Sequence, residues 1–186
     1  IGPTATPRPT STPRPTATPA PPTPTAPPVA RAAFAAEDWV GGFYRGDRLH
    51  YGRPWVAVYG ALSDHPRAAL AFSLDAEPGG PATLTITGLD DEWAGPNEIA
   101  LEVNGRRVFA GPSPFRDWDG VGTGDDAAWT AAAFALPAGL LRAGPNEVAV
   151  ANLTPSANFG TPPYVLLAET SLEAPAAVVE GEDASP

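Results

Sequence analysis

Residues 82–110 read ATLTITGLDDEWAGPNEIALEVNGRRVFA, and the spacing of their apolar side chains sets the architecture. Leu84 and Ile86 alternate with threonines, and Ile99, Leu101 and Val103 are each two residues apart. A period of two puts such residues on one face of a strand. Asn104-Gly105 separates the second strand from the returning segment Arg106 to Ala110. Asn-Gly is a strong hairpin signal, because both residues tolerate the positive φ that a tight turn demands. The acidic segment Leu89 to Pro96 is expected as a loop between the strands. One apolar face per strand requires a second layer, so the stretch predicts sheet packed on sheet.

Part of it recurs. AGPNEIALEVN (Ala94 to Asn104) is echoed by AGPNEVAVAN (Ala143 to Asn152), each with Gly-Pro-Asn ahead of an alternating strand. Two instances fall short of a solenoid and read as one turn-and-strand device used twice. Outward from this pair, further strands are expected at Trp55 to Tyr59, Ala68 to Asp75, Trp129 to Leu136 and Tyr164 to Leu172. The LPAGLLRAG segment before the second copy is a short turn whose Leu140 and Leu141 tuck under an edge.

In order, the chain offers a strand, the loop GLDDEW (Gly88 to Trp93) and the hairpin EIALEVNG (Glu98 to Gly105). Then comes FALPAGLLRAGPNEVAV (Phe134 to Val150). This succession resembles the galactose-binding-like jelly roll of secreted bacterial proteins and carbohydrate-binding modules, over roughly Phe34 to Glu173. The resemblance implies an all-β, two-sheet antiparallel jelly-roll sandwich. It also implies glycan binding through loops at one end, and often a structural calcium. Fold-level likeness does not by itself assign a function.

Ahead of the sandwich, eleven of the first thirty residues are Pro and eight are Thr. Proline fixes φ and removes amide donors, so residues 1–30 are expected as a polyproline II stalk. The hexapeptides TATPRP, TSTPRP and TATPAP repeat from Thr4 to Pro21. At ~3.1 Å per residue, thirty residues reach about 90 Å. Such a segment is a semi-rigid spacer. Thr4, Thr6, Thr10, Thr12, Thr16 and Thr18 are also candidate O-glycan acceptors. The sandwich is expected over 31–174 and an acidic tail over 175–186.

The chain lacks Cys, Met and Lys, so the core holds without disulfides. The stalk carries two Arg and no acid, while the remaining nine Arg face all 21 acids, leaving the rest at net −12. That balance disfavours nucleic acid and anionic lipid. No apolar run approaches the ~18 residues that span a bilayer. A first residue of Ile reads as a processed N-terminus. The expected location is extracellular or at the cell surface.

Candidate chemistry is sparse. Phe34, Trp39, Phe43, Tyr44, Tyr51, Trp55 and Tyr59 crowd one stretch. Such rings serve either as a plug closing the sandwich or as a sugar-stacking platform. Trp39, Tyr44 and Tyr51, with Trp93, are the candidate glycan contacts. Asp117, Asp119, Asp125 and Asp126 lie in a Gly-rich loop able to wrap calcium, although not with EF-hand spacing. Asp90, Asp91 and Glu92 form a second acidic run. Ser63-Asp64-His65 holds the residue types of a hydrolase triad, but consecutively and without a nucleophile elbow, so it reads as a turn. Asn152-Leu153-Thr154 fits an N-glycosylation sequon.

No enzyme is expected. The leading expectation is a non-catalytic extracellular protein for surface assembly, self-associating or joining another chain, and forming filaments. Two features motivate it: chain ends of opposite charge, and a segment, Val29 to Ala36, able to cross to a neighbouring sheet. The alternative is a carbohydrate-binding module.

Overall fold

A computed structural model describes residues 2, 29–44, 52–91, 95–117 and 129–176. Outside these lie the six stalk threonines, Tyr51, Glu92, Trp93, Asp119, Asp125 and Asp126.

The strands are β1 (Val29–Phe34), β2 (Trp39–Val40), β3 (Phe43–Tyr44), β4 (Val56–Tyr59), β5 (Arg67–Leu74) and β6 (Ala82–Asp91). They continue as β7 (Glu98–Val103), β8 (Arg106–Pro112), β9 (Thr130–Leu136), β10 (Gly144–Asn152) and β11 (Tyr164–Pro175). A single 3-10 turn, Ala36–Asp38, is the one helical element among the described residues. One sheet runs β3-β4-β11-β6-β9 with β1 also on β11, and the other runs β2-β5-β10-β7-β8. Every strand pair is antiparallel, as expected for the jelly roll. The sandwich takes in Val29 and Pro175, just beyond the limits expected from sequence.

Alternation explains the main core. Val56 and Val58 of β4, Leu84 and Ile86 of β6, and Val165 and Leu167 of β11 point inward from one sheet. They meet Leu70, Ile99, Leu101, Val103, Val148 and Val150 from the other. Leu140 and Leu141 are buried at the rim of this core, as their sequence context predicts. The β7–β8 turn has φ of 51° at Asn104 and 76° at Gly105, as the Asn-Gly reading requires.

The repeated device proves to be reciprocal. β7 and β10 are antiparallel neighbours, so the start of each copy meets the end of the other. Asn152 Nδ2 donates to Asn97 Oδ1 at 3.0 Å, and Asn104 Nδ2 donates to Asn146 Oδ1 at 2.9 Å. At each end, a strand-closing asparagine thus bonds the Gly-Pro-Asn asparagine of the other copy. The main chain repeats the relation, with the Asn104 amide on the Glu147 carbonyl and the Leu153 amide on the Glu98 carbonyl.

Three expectations are corrected. Asp90 and Asp91 do not begin a loop: β6 extends through Asp91, and both carboxylates are buried. Val29 to Phe34, within the segment Val29 to Ala36 expected to cross to a neighbouring sheet, pairs with this chain's own β11 along its whole length. Trp39 is no surface ring. It is 2 % exposed in the main core, with Nε1 donating to Thr170 Oγ1 at 3.3 Å.

Candidate functional site

A second apolar cluster lies on the opposite face of the six-stranded sheet from the core. Ala57 and Tyr59 of β4, Leu89 of β6, and Leu166 and Ala168 of β11 are out of phase with the core residues on the same strands. Trp129 joins them, and Phe43, Trp55 and Tyr164 pack against the cluster. Tyr59, Tyr164 and Asp91 share one register row across three strands.

Phe159, in the loop between β10 and β11, rests on this cluster. Its ring centroid lies 4.8 Å from Phe43 edge to face, 5.0 Å from Tyr59 and 5.8 Å from His65. Three aromatic neighbours hold the ring, yet it is 54 % exposed. Aromatic pairs at these separations each contribute about 0.5–1.5 kcal/mol beyond area burial, so the exposed ring is well anchored. Burial pushes the Tyr59 phenol above its ordinary range, opposed by a backbone bond from Gly160. Tyr59 is therefore a neutral phenol at physiological pH. Trp55 Nε1 is buried and has no hydrogen-bond partner among the described residues.

Beside the aromatic patch, the same face carries a trough of about 400 Å³ lined by Ala33, Thr85, Thr87, Glu169 and Ser171 among others. Its floor is a register row of small residues, Thr85, Ser171 and Ala33 on β6, β11 and β1, with Ala133 of β9 next in the same row. Arg53 Nη1 bonds Glu169 Oε2 at 2.8 Å, and Arg31 pairs with Glu173 at 3.0 Å.

The acids at the end of β6 form a different arrangement. Asp90 accepts from the Asn97 backbone amide at 3.0 Å and from the Asn97 side-chain amide, and it also bonds Ser113. Asn97 donates on to the Tyr164 carbonyl at 3.3 Å, and Asn152 reaches the Val58 carbonyl at 3.3 Å. Burial pushes the Asp90 carboxyl up. The Asn97 and Ser113 bonds oppose this, and the Asp117 charge adds to it. Asp91 is also raised, first by burial, against a bond from the Tyr164 hydroxyl. These carboxylates are framework groups.

Among the other residues singled out from sequence, Tyr44 is on β3 and 38 % exposed. The Ser63 hydroxyl accepts the His65 backbone amide at 3.2 Å, while His65 Nδ1 faces the Gly41 carbonyl at 3.2 Å. This is the turn expected there. Asn152 of the sequon is 2 % exposed with its amide already bonded, so it offers no free acceptor for a glycan. Asp117 forms a bridge to Asp90, and among the described residues no three potential metal ligands lie together. No helix among them is long and apolar enough to cross a membrane.

Sequence reasoning missed Phe159, Arg53, Glu169 and the threonine floor. A signal for the outer cluster exists: WVAVY and YVLLA are continuous apolar runs, as strands buried on both faces are. Phe159 has no periodic context and leaves no such trace.

No protein-family model and no curated protein matches the chain. Solved structures do. A family 35 carbohydrate-binding module from an environmental isolate aligns at 15 % identity and TM-score 0.51, over 78 % of this chain and 98 % of the module. One from Clostridium thermocellum aligns at 14 % identity and TM-score 0.50, over 77 % and 98 %. A Podospora anserina GH26-CBM35 β-(1,4)-mannanase aligns at 19 % identity and TM-score 0.48, over 84 % of this chain but 30 % of its own. The sandwich thus has the jelly-roll fold of carbohydrate-binding modules. At these identities the likeness establishes the fold alone.

Proposed function

We propose that this protein is a non-catalytic, extracellular carbohydrate-binding module, with the aromatic patch on the outer face of the six-stranded sheet as its sugar-facing surface. The observation that carries the reading is Phe159, a ring 54 % exposed while packed on Phe43, Tyr59 and His65. Exposing an aromatic face to water is unfavourable, and the apolar face of a pyranose can cover it. Holding the ring in place beforehand lowers the entropy lost on binding. The fold shared with carbohydrate-binding modules supports the same reading. The stalk acts as an O-glycosylated spacer that sets the module away from whatever carries it. With β1 taken up by the chain's own β11, the reading does not call on assembly.

The test is affinity electrophoresis of the chain in gels containing soluble polysaccharides. At least one polysaccharide retards the wild type, and Phe159→Ala weakens that binding tenfold or more while leaving the circular dichroism spectrum unchanged. Equal retardation of the two proteins would remove Phe159 from the site. Wild-type mobility indifferent to every polysaccharide would end the reading.

A further inference from the structure

The glycan's chemical class follows from the charges and side-chain lengths beside the aromatic patch. We infer, on the carbohydrate-binding reading above, that the ligand is a neutral polysaccharide that occupies the trough on the same face as the Phe159 patch.

Solvent-facing strand positions usually carry long polar side chains. Here the row Ala133–Thr85–Ser171–Ala33 crosses four strands with nothing longer than threonine, and Thr87 and Ala131 lie alongside. At ~4.8 Å between strands, the three strands that line the trough, β1, β11 and β6, span about 10 Å, room for a short oligosaccharide segment. Its volume of about 400 Å³ falls at the lower end of ligand sites, below what a large ligand needs. Leu89 follows Thr87 on the same face of β6, and Glu173, paired with Arg31, follows Ser171 on the same face of β11. Each Thr or Ser hydroxyl both donates and accepts, and the Glu169 carboxylate accepts, which matches the hydroxyls of a sugar.

The charges decide against an acidic sugar. Arg53 and Arg31 each bond a glutamate on this face, at 2.8 and 3.0 Å. The chain as a whole is at −10. A uronic acid or sulfated sugar would meet Glu169 and Glu173 and a repulsive long-range field. A neutral sugar avoids both.

The full chain is titrated calorimetrically with soluble β-1,4-mannan, β-1,4-xylan and mixed-linkage β-glucan, and with polygalacturonate. Binding to a neutral polymer but not to polygalacturonate is expected. Thr87→Tyr, which fills the trough with a residue suited to strands, then weakens binding tenfold or more without lowering the melting temperature. Glu169→Gln, on an exposed side chain, weakens it several-fold and serves where Thr87→Tyr fails to fold. Two results overturn the inference while sparing carbohydrate binding: polygalacturonate binding best, or trough variants binding like wild type while Phe159→Ala does not. Binding to none of the four polymers overturns the inference together with the reading beneath it.

Discussion

Replacing Asn97 by alanine should be the most costly single change at the end of the sandwich where β6 meets β7. Asn97 is fully buried, and its side chain joins Asp90, the carbonyls of Asp91 and Tyr164, and Asn152. In the variant, Asp90 keeps the backbone amide of residue 97 and Ser113 but loses its side-chain donor. Asn152 keeps only the Val58 carbonyl for its amide. A buried group deprived of its partner costs ~1–3 kcal/mol, more when charged, so the loss is about 3–4 kcal/mol. That corresponds to roughly 8–14 °C in melting temperature for a domain of this size. The counterpart Asn146→Ala should cost about 2 kcal/mol, because its partners are neutral groups of a part-buried turn. Urea midpoints at constant slope measure both. A pH signature separates them. The Asn97 bonds lower the Asp90 pKa, so the variant's folded pKa rises further above the unfolded value. An acid so raised stabilises fully below its unfolded pKa, and that stability is lost as pH rises through the folded pKa. The Asn97→Ala penalty is therefore largest at pH 7 and shrinks on acidification. A penalty below about 1 kcal/mol, one equal to that of Asn146→Ala, or one that grows as pH falls would refute the assignment of Asp90 and Asn97 to one buried network.

The same linkage applies to the wild type. Asp90 and Asp91 are both raised by burial, so the urea midpoint should climb as pH drops from 7 toward the ordinary aspartate range. The Asp90→Asn, Asp91→Asn double variant should flatten that climb, and a wild-type midpoint independent of pH would contradict it. Gly88→Ala places a Cβ 2.6 Å from the Phe115 ring, which is 5 % exposed. Overpacking of this kind costs about 1–3 kcal/mol. An unchanged melting temperature would mean the ring moves freely.

Most of the strand pattern could be read from sequence because it rests on local alternation. Leu84, Ile86, Ile99, Leu101 and Val103 alternate and are buried, and Asn104-Gly105 turns the chain where expected. Asp90 and Asp91 were illegible as strand residues, since aspartate is disfavoured in strands. They are held there by Asn97, Ser113 and Tyr164, partners that local pattern does not reveal. Trp39 was misplaced for a similar reason: its indole finds Thr170, 131 residues away. The Gly-Pro-Asn echo was readable as framework. The reciprocal bonding of its asparagines required knowing that β7 and β10 are neighbours. The candidate sugar surface was least legible of all. It depends on which rows of four strands coincide, and on a lone phenylalanine in a loop.

β11 gives the chain a late point of commitment. Its first half pairs with β4 and its second half with β1 along one edge, while β6 takes the other. Until residues 164–175 leave the ribosome, β1 has no strand to join, β4 holds only β3, and β6 holds only β9. Contacts this distant in sequence close slowly. The sandwich is completed from this strand, so a nascent chain leaves much of the six-stranded sheet unassembled before the domain shuts.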